Sequence, residues 1–346
     1  MNVPDGLGSS VKKALSFMEI SQNKSGLWSD FLTLAGESTF WVSGYTGYAL
    51  CLSDDGPSLG FLEKAARMII NHQREDGGWG YGLGVPTDAD STSWCLLFLS
   101  KLGLVDGIER GGRFLLEHQN PDGGFRTYAS PVSVGHYMGL NDSISFEGWQ
   151  TSQLCVTGVA ARALIDSGTS EGVAAALNFI RESQREEGYW NPYWWNDSLY
   201  STVHCMWALK AYDGNENVLG KACDWIAKTQ LADGGWNDGT TDEGLAFSTA
   251  LALKGLMLGF RSRDQDRVKR GIHWLLTHQL EDGSWPPYYL LRIPYPPMKE
   301  PWRYHAWIRD GKAIGSVIKD HNRLFSTATA YSALVDFDRY YRGEMS

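Results

Sequence analysis

Two kinds of apolar segment alternate along this chain. In the first, apolar residues recur at helical spacing, as at Val11, Ala14, Leu15 and Met18, a stripe that buries one face of a helix and leaves the other in water. The second kind is apolar nearly all round: Phe40 to Leu52, Thr92 to Leu102, Cys155 to Ile165, Thr202 to Ala211, Leu245 to Leu258 and Phe325 to Val335. A helix apolar on every side must be buried on every side. Between the two kinds lies a recurring signature of Gln, three residues, Gly, one residue, then Trp or Phe. It runs from Gln22 to Trp28, Gln73 to Trp79, Gln119 to Phe125, Gln184 to Trp190, Gln230 to Trp236 and Gln279 to Trp285, so six copies of one unit, roughly 46 to 65 residues apart, make up the chain. The signature ends the first helix, because a helix end favours a residue tolerant of positive φ and Asp76-Gly77-Gly78, Asp122-Gly123-Gly124 and Asp233-Gly234-Gly235 supply it.

Six half-exposed helices alternating with six buried ones are satisfied by two concentric rings, so the expected fold is all-α, an α6/α6 double-ring helical barrel. An open solenoid would need polar capping helices at its ends. The last buried helix, with Ala328, Ala330, Tyr331, Ala333 and Leu334, is no more polar than the middle ones. No linker or low-complexity run interrupts the 346 residues, and 1–346 are read as one domain. Two segments break the repeat, Arg126 to Gln150 and the Pro- and aromatic-rich Pro286 to Asn322. Loops this long usually serve a site, and both are placed over one mouth of the barrel as a lid.

A net charge of −9 argues against a nucleic-acid partner. Cys51, Cys95, Cys155, Cys205 and Cys223 are odd in number and mostly lie in apolar helices, which suits free thiols in a reducing compartment. Met1 to Ser10 has no signal-peptide pattern and no run is long enough to span a bilayer, so a cytoplasmic protein is expected.

Chemistry is expected where a buried helix begins, since that end points into the cavity. The second unit there reads Pro86-Thr87-Asp88-Ala89-Asp90-Ser91-Thr92-Ser93-Trp94. Asp and Ser at a helix start are ordinary caps. Two carboxylates two residues apart beside an apolar cavity are costly unless one is protonated or strongly hydrogen-bonded, and the residues alone leave both readings open.

The six signatures, the Asp88-Ala89-Asp90-Ser91-Thr92 stretch, Gly188-Tyr189-Trp190-Asn191-Pro192-Tyr193-Trp194 with Leu199-Tyr200-Ser201-Thr202, Val156-Thr157-Gly158 and Trp285 to Pro294 together resemble the class II terpene cyclases. That group, which includes squalene–hopene cyclases, starts catalysis by protonating an alkene. Its acid motif is Asp-x-Asp-Asp-Thr, with Ser91 here in the fourth place. The resemblance implies Asp90 as general acid and Asp88 as its supporting carboxylate, with Ser91, Thr92, Cys155 and Tyr200 around the acid. It implies aromatic faces for the travelling cation, at about 0.5 to 2 kcal/mol per ring, with Trp194, Tyr81 and Trp149 as candidates. Where squalene–hopene cyclases carry a His after Val-Thr-Gly, this chain has Val159, so Cys155, Tyr200 or a water must serve as the acid's second partner. The larger members carry a second barrel, for which the link from Cys51 to Pro57 leaves no room. The resemblance is therefore to a monodomain cyclase acting on a polyprenyl chain joined to an aromatic group, a lipophilic substrate compatible with peripheral membrane contact. No cofactor and no obligate partner subunit are expected, and magnesium enters only if the substrate is a diphosphate. Arg126, Arg292, Lys299, Arg303 and Arg309 on the lid segments could hold a diphosphate or an aryl carboxylate, or form a solvated face. Protein prenyltransferase β subunits share the barrel, but none of the five Cys has Asp two residues before it, and His204-Cys205 lacks a third zinc ligand. Asp54-Asp55-Gly56 does not continue the magnesium motif of class I synthases. A non-catalytic binding barrel remains the contrasting reading.

Overall fold

The computed structural model describes residues 4–53, 59–129, 131–139, 143–259, 261–304, 308–309, 312–313 and 315–342. The link at Asp54, Asp55 and Pro57, and Trp307 in the second long segment, lie outside them. Helices follow in the order α1 (Leu7–Ile20), α2 (Phe40–Leu50), α3 (Leu59–Asn71), α4 (Ala89–Lys101), α5 (Ile108–Glu117), α6 (Pro131–Tyr137), α7 (Leu154–Asp166), α8 (Val173–Glu182), α9 (Leu199–Lys210), α10 (Glu216–Lys228), α11 (Ala246–Gly259), α12 (Gln265–Thr277) and α13 (Leu324–Arg342). Burial sorts them as their sequences require. The all-apolar α2 buries every residue but Tyr48, whereas α12 buries only Val268, Gly271, Ile272, Trp274 and Leu275.

Within the inner ring α2, α4, α7, α9, α11 and α13 each pack on the next, and α13 returns onto α2. The ring is closed, as an α6/α6 barrel requires. At Gly158 in α7 an added Cβ would lie 2.8 Å from the His204 carbonyl carbon in α9, so only glycine lets these two inner helices approach so closely.

The signature is the joint between units. In every copy the Gln amide donates both to the carbonyl of the signature Gly and to a carbonyl of the next unit, from Gln22 onto Phe61 at 2.9 Å to Gln279 onto Ser10 at 2.9 Å. That last bond joins the sixth unit to the first. The indole N–H of Trp28, Trp79, Trp190, Trp236 and Trp285 donates to a carbonyl of its own outer helix, a bond that Phe125 cannot make. Finally, the backbone N–H of the signature aromatic donates to a hydroxyl on the following inner helix: Ser43, Thr92, Thr157, Thr202, Thr249 and Thr327 in turn.

The two long segments are more ordered than loops. The first contains α6, and the second forms an antiparallel ladder between β5, Tyr289–Pro294, and β8, Gly315–Lys319, numbered after shorter pairs at Asp30–Thr33 with Gly36–Ser38 (β1, β2) and Trp79–Gly80 with Thr87–Asp88 (β3, β4); Ile308–Arg309 and Lys312–Ala313 (β6, β7) form a pair between β5 and β8. Flanking prolines hid β5 from sequence reasoning, yet Pro294 stands at the strand's end, where a missing N–H is tolerated. Among the described residues no helix is long and apolar enough to cross a membrane, and all five cysteines are free thiols.

Candidate active site

Counting back two residues from each hydroxyl joint gives Trp41, Asp90, Cys155, Tyr200, Phe247 and Phe325. These six occupy one level at the start of the inner helices and form a collar around the barrel axis. Phe325 lies 4.8 Å from Trp41 and 5.9 Å from Phe247, ring centre to ring centre, and Phe247 lies 6.3 Å from Tyr200. Unit two places a carboxylic acid where its neighbours place aromatic rings or a thiol.

The two carboxylates differ in what holds them. Asp88 is the N-cap of α4, with extended backbone, accepting the Ser91 N–H and the Ser91 hydroxyl, each at 2.7 Å. Burial pushes its carboxyl up to about 6, against the pull of those Ser91 bonds. Asp90 sits in the first turn and caps nothing, and its Oδ1 is buried without a hydrogen bond. Burial, and after it the charge of Asp88, raise it well above the ordinary carboxylate range, while the Trp41 side chain pulls weakly the other way. Both larger effects favour the protonated form of Asp90.

The four residues expected around the acid lie about it, and each has bonds or contacts of its own. Ser91 serves Asp88. The Thr92 hydroxyl is bonded to the Trp79 backbone, accepting its N–H at 2.9 Å and donating to its carbonyl, the same structural duty its counterparts perform in the other units. Tyr200 accepts the Trp94 indole N–H at 3.0 Å and stacks on Trp195 at 3.9 Å. Cys155 sits in the collar, its thiol pushed up to about 12 by burial. Neither Cys155 nor Tyr200 bonds to Asp90, and burial with the Asp88 charge favours its protonated form more than the Trp41 side chain opposes it.

The cavity beyond Asp90 is walled by Trp41, Tyr81, Tyr128, Trp149, Trp194, Leu291 and other apolar groups from both long segments. Trp194 is pinned by its indole N–H, 2.7 Å from Thr127 Oγ1 and 2.8 Å from Gln153 Oε1. The Thr127 carbonyl in turn accepts the Ala89 N–H at the start of α4, so one residue registers the acid's helix against this ring. Trp149 meets Trp194 edge to face at 5.2 Å and donates to the Pro294 carbonyl. Tyr81 stacks on Trp41 at 6.0 Å, and its hydroxyl donates to the Phe31 carbonyl. Trp41, Tyr128, Thr127 and Gln153 were not foreseen. Trp41 was within reach of sequence reasoning, because it holds the place of Asp90 one unit earlier.

The lid cations do not gather here. Arg126 bonds Asn120 and the Glu117 carbonyl, Lys299 pairs with Glu147, and Arg303 with Glu300. Arg292 is buried on β5 with its guanidinium donating to the Asn196 carbonyl, and the Arg309 side chain lies outside the described residues. Among the described residues none of the cations lines the cavity, and no cluster of His, Cys, Asp and Glu could hold a metal.

Comparisons with known proteins agree with this geometry. Residues 11–127 match the model of the prenyltransferase alpha-alpha toroid domain, and residues 151–298 that of the squalene-hopene cyclase C-terminal domain. The chain is 27% identical over 259 residues, 71% of its length, to drimenyl diphosphate synthase of Streptomyces showdoensis, and 26% identical over 239 residues to squalene–hopene cyclase of Bradyrhizobium diazoefficiens. It covers only 45% and 36% of those two proteins, so it spans less than half the length of these curated relatives. Against a solved structure the match is end to end. The type II terpene cyclase MstE from Scytonema, in complex with geranylgeranyl dihydroxybenzoate as substrate, superposes with a TM-score of 0.87 at 29% identity over 97% of this chain and 98% of that one.

Proposed function

For this chain, which belongs to the class II terpene cyclase family, we propose a cyclisation initiated by protonation, acting on a linear polyprenyl chain joined to an aromatic group. The observation that carries the reading is Asp90, a carboxylic acid with a buried, unpaired oxygen at the wall of an aromatic cavity, in surroundings that favour its protonated form. In the first step the Asp90 O–H bond breaks and its proton forms a C–H bond with the π electrons of the terminal alkene. A tertiary cation remains on the chain and a carboxylate on Asp90. Trp194, Tyr81, Trp149 and Trp41 present ring faces to the migrating charge, and the apolar walls keep out the water that would quench it early. Loss of a proton at the last ring ends the sequence. Asp88 supports the acid through the start of α4. The reaction needs no cofactor.

The aromatic end group is favoured by the full-length likeness to the Scytonema enzyme bound to geranylgeranyl dihydroxybenzoate. A prenyl diphosphate is the second reading, favoured by the relative named drimenyl diphosphate synthase. The deciding assay offers purified protein geranylgeranyl and farnesyl dihydroxybenzoates and the free diphosphates, with and without EDTA. Cyclised aryl product formed in EDTA is expected. Turnover of diphosphates alone, lost in EDTA and restored by magnesium, would transfer the assignment to the second reading, and loss restored by zinc would overturn the proton-only mechanism.

A further inference from the structure

We propose that the indole N–H of Trp41 is the hydrogen-bond donor that receives the Asp90 carboxylate as its proton leaves. The chemistry rests on the cyclase reading above; the geometry rests on two orphaned atoms. Asp90 Oδ1 and Trp41 Nε1 are both buried and neither has a partner. A buried donor without a partner is costly and rare. The two side chains line the same cavity, from inner helices α2 and α4 that pack on one another, and hold equivalent places in adjoining units, two residues before Ser43 and Thr92. The indole is near enough to favour the ionised form of Asp90, while the resting arrangement leaves the bond unclosed.

The donors of Ser91, Tyr81 and Trp194 are committed elsewhere. Ser91 gives its N–H and hydroxyl to Asp88, the Tyr81 hydroxyl goes to Phe31, and the Trp194 N–H goes to Thr127 and Gln153. Tyr128, Tyr200 and Cys155 also face Asp90, all held neutral by burial, and Asp88 opposes its ionisation. An interaction that forms only as charge develops lowers the barrier, whereas one already present in the ground state stabilises both states alike. Trp41 keeps its own proton throughout. Phe31, Tyr81, Trp195 and Phe325 pack on its ring at 4.8 to 6.0 Å, so the proposed change is confined to its N–H meeting Oδ1.

The test replaces Trp41 with 3-benzothienylalanine, which keeps ring size and face and deletes the N–H, with Trp41→Phe as a second variant. On the substrate that the wild type turns over, kcat is expected to fall about 10- to 100-fold, the effect of losing a hydrogen bond to a charged group, with KM changed less than about threefold. The basic limb of kcat should move to higher pH, since Asp90 loses a group that favours its ionised form. A merely structural role would lower the melting temperature without moving that limb. Unchanged kcat and limb in the benzothienyl protein would overturn the proposal. A second arm needs no substrate: infrared titration of the Asp90 carboxyl, with Asp90→Asn as blank, should show its midpoint rise when the N–H is deleted. An unchanged midpoint overturns the proposal even where the cyclase reading itself fails.

Discussion

Asp88 and Asp90 stand two residues apart and perform different work. Asp88 is bonded through both oxygens and starts a helix; Asp90 has a free oxygen and faces a cavity. Substitution by Asn separates them. At 88, Asn caps as well as Asp and removes a buried carboxylate that folding holds at about 6 against 3.8. The folded state binds that proton more tightly, so stability is lost as pH rises from about 4 through 6, a deficit of about 3 kcal/mol above that window. Asp88→Asn should therefore raise the melting temperature at pH 7.5, change it little at pH 4, and retain part of the activity. Asp90→Asn keeps shape but has no proton to give, so a protein with normal circular dichroism should lose essentially all cyclisation; wild-type turnover from it would remove the acid from Asp90. The resemblance distinguished these two roles in the sequence, but not which residue is the cap, because cap and acid are both Asp at a helix start. Thr92 presents a related difficulty, since its hydroxyl is bonded to the Trp79 backbone. A Thr next to an acid motif looks chemical until its five counterparts are seen making the same backbone bond.

At the scale of elements, the barrel was legible because each helix states its own burial. Four of the six inner helices start one to three residues before their apolar runs, as in α4, whose first turn is Ala89-Asp90-Ser91. Polar first turns read as loop, and here one of them brings Asp90 to the cavity wall. The strands were not legible, since two-residue pairs such as β3 and β4 have no periodicity and β5 is framed by proline. What the repeat does specify is the joint. If the ring is closed, the seam between units six and one resembles any other. Gln279→Leu, which breaks the bonds to Ser10 and Gly283, should cost about 1 to 3 kcal/mol in urea unfolding, within error of Gln73→Leu in the middle of the chain. A neutral Gln279→Leu beside a costly Gln73→Leu would mean that the seam opens in solution.

Across the whole molecule, burial displaces several titrations at once, and their signs decide the pH of greatest stability. His118 and His204 are pushed down to about 4 and about 3 by burial; the unfolded chain binds those protons more readily, so stability rises with pH up to about 6.5. Asp88 and Asp197, each raised to about 6 by burial, oppose that trend over much of the same range. From about 6.5 to 8 the carboxylates dominate, and at higher pH the buried cysteines, all raised by burial, add to the same trend. Asp320, raised to about 8 by burial and then by Asp30, keeps a proton that the unfolded chain has already released, and the upward shift of Asp90 acts in the same direction. Each retained proton lowers stability by about 1.4 kcal/mol per pH unit. Asp320 also joins the lid to the barrel, accepting the N–H of Tyr288 just before β5 at 2.7 Å and that of Ser326 in α13 at 3.1 Å. The melting temperature should therefore fall from pH 6.5 to 8, and Asp320→Asn, which keeps an acceptor at that joint but cannot ionise, should flatten the fall. A wild-type melting temperature that is level or rising across that interval would show that Asp320 and Asp90 are ionised in the folded protein at neutral pH, and the acid would then have no proton to deliver.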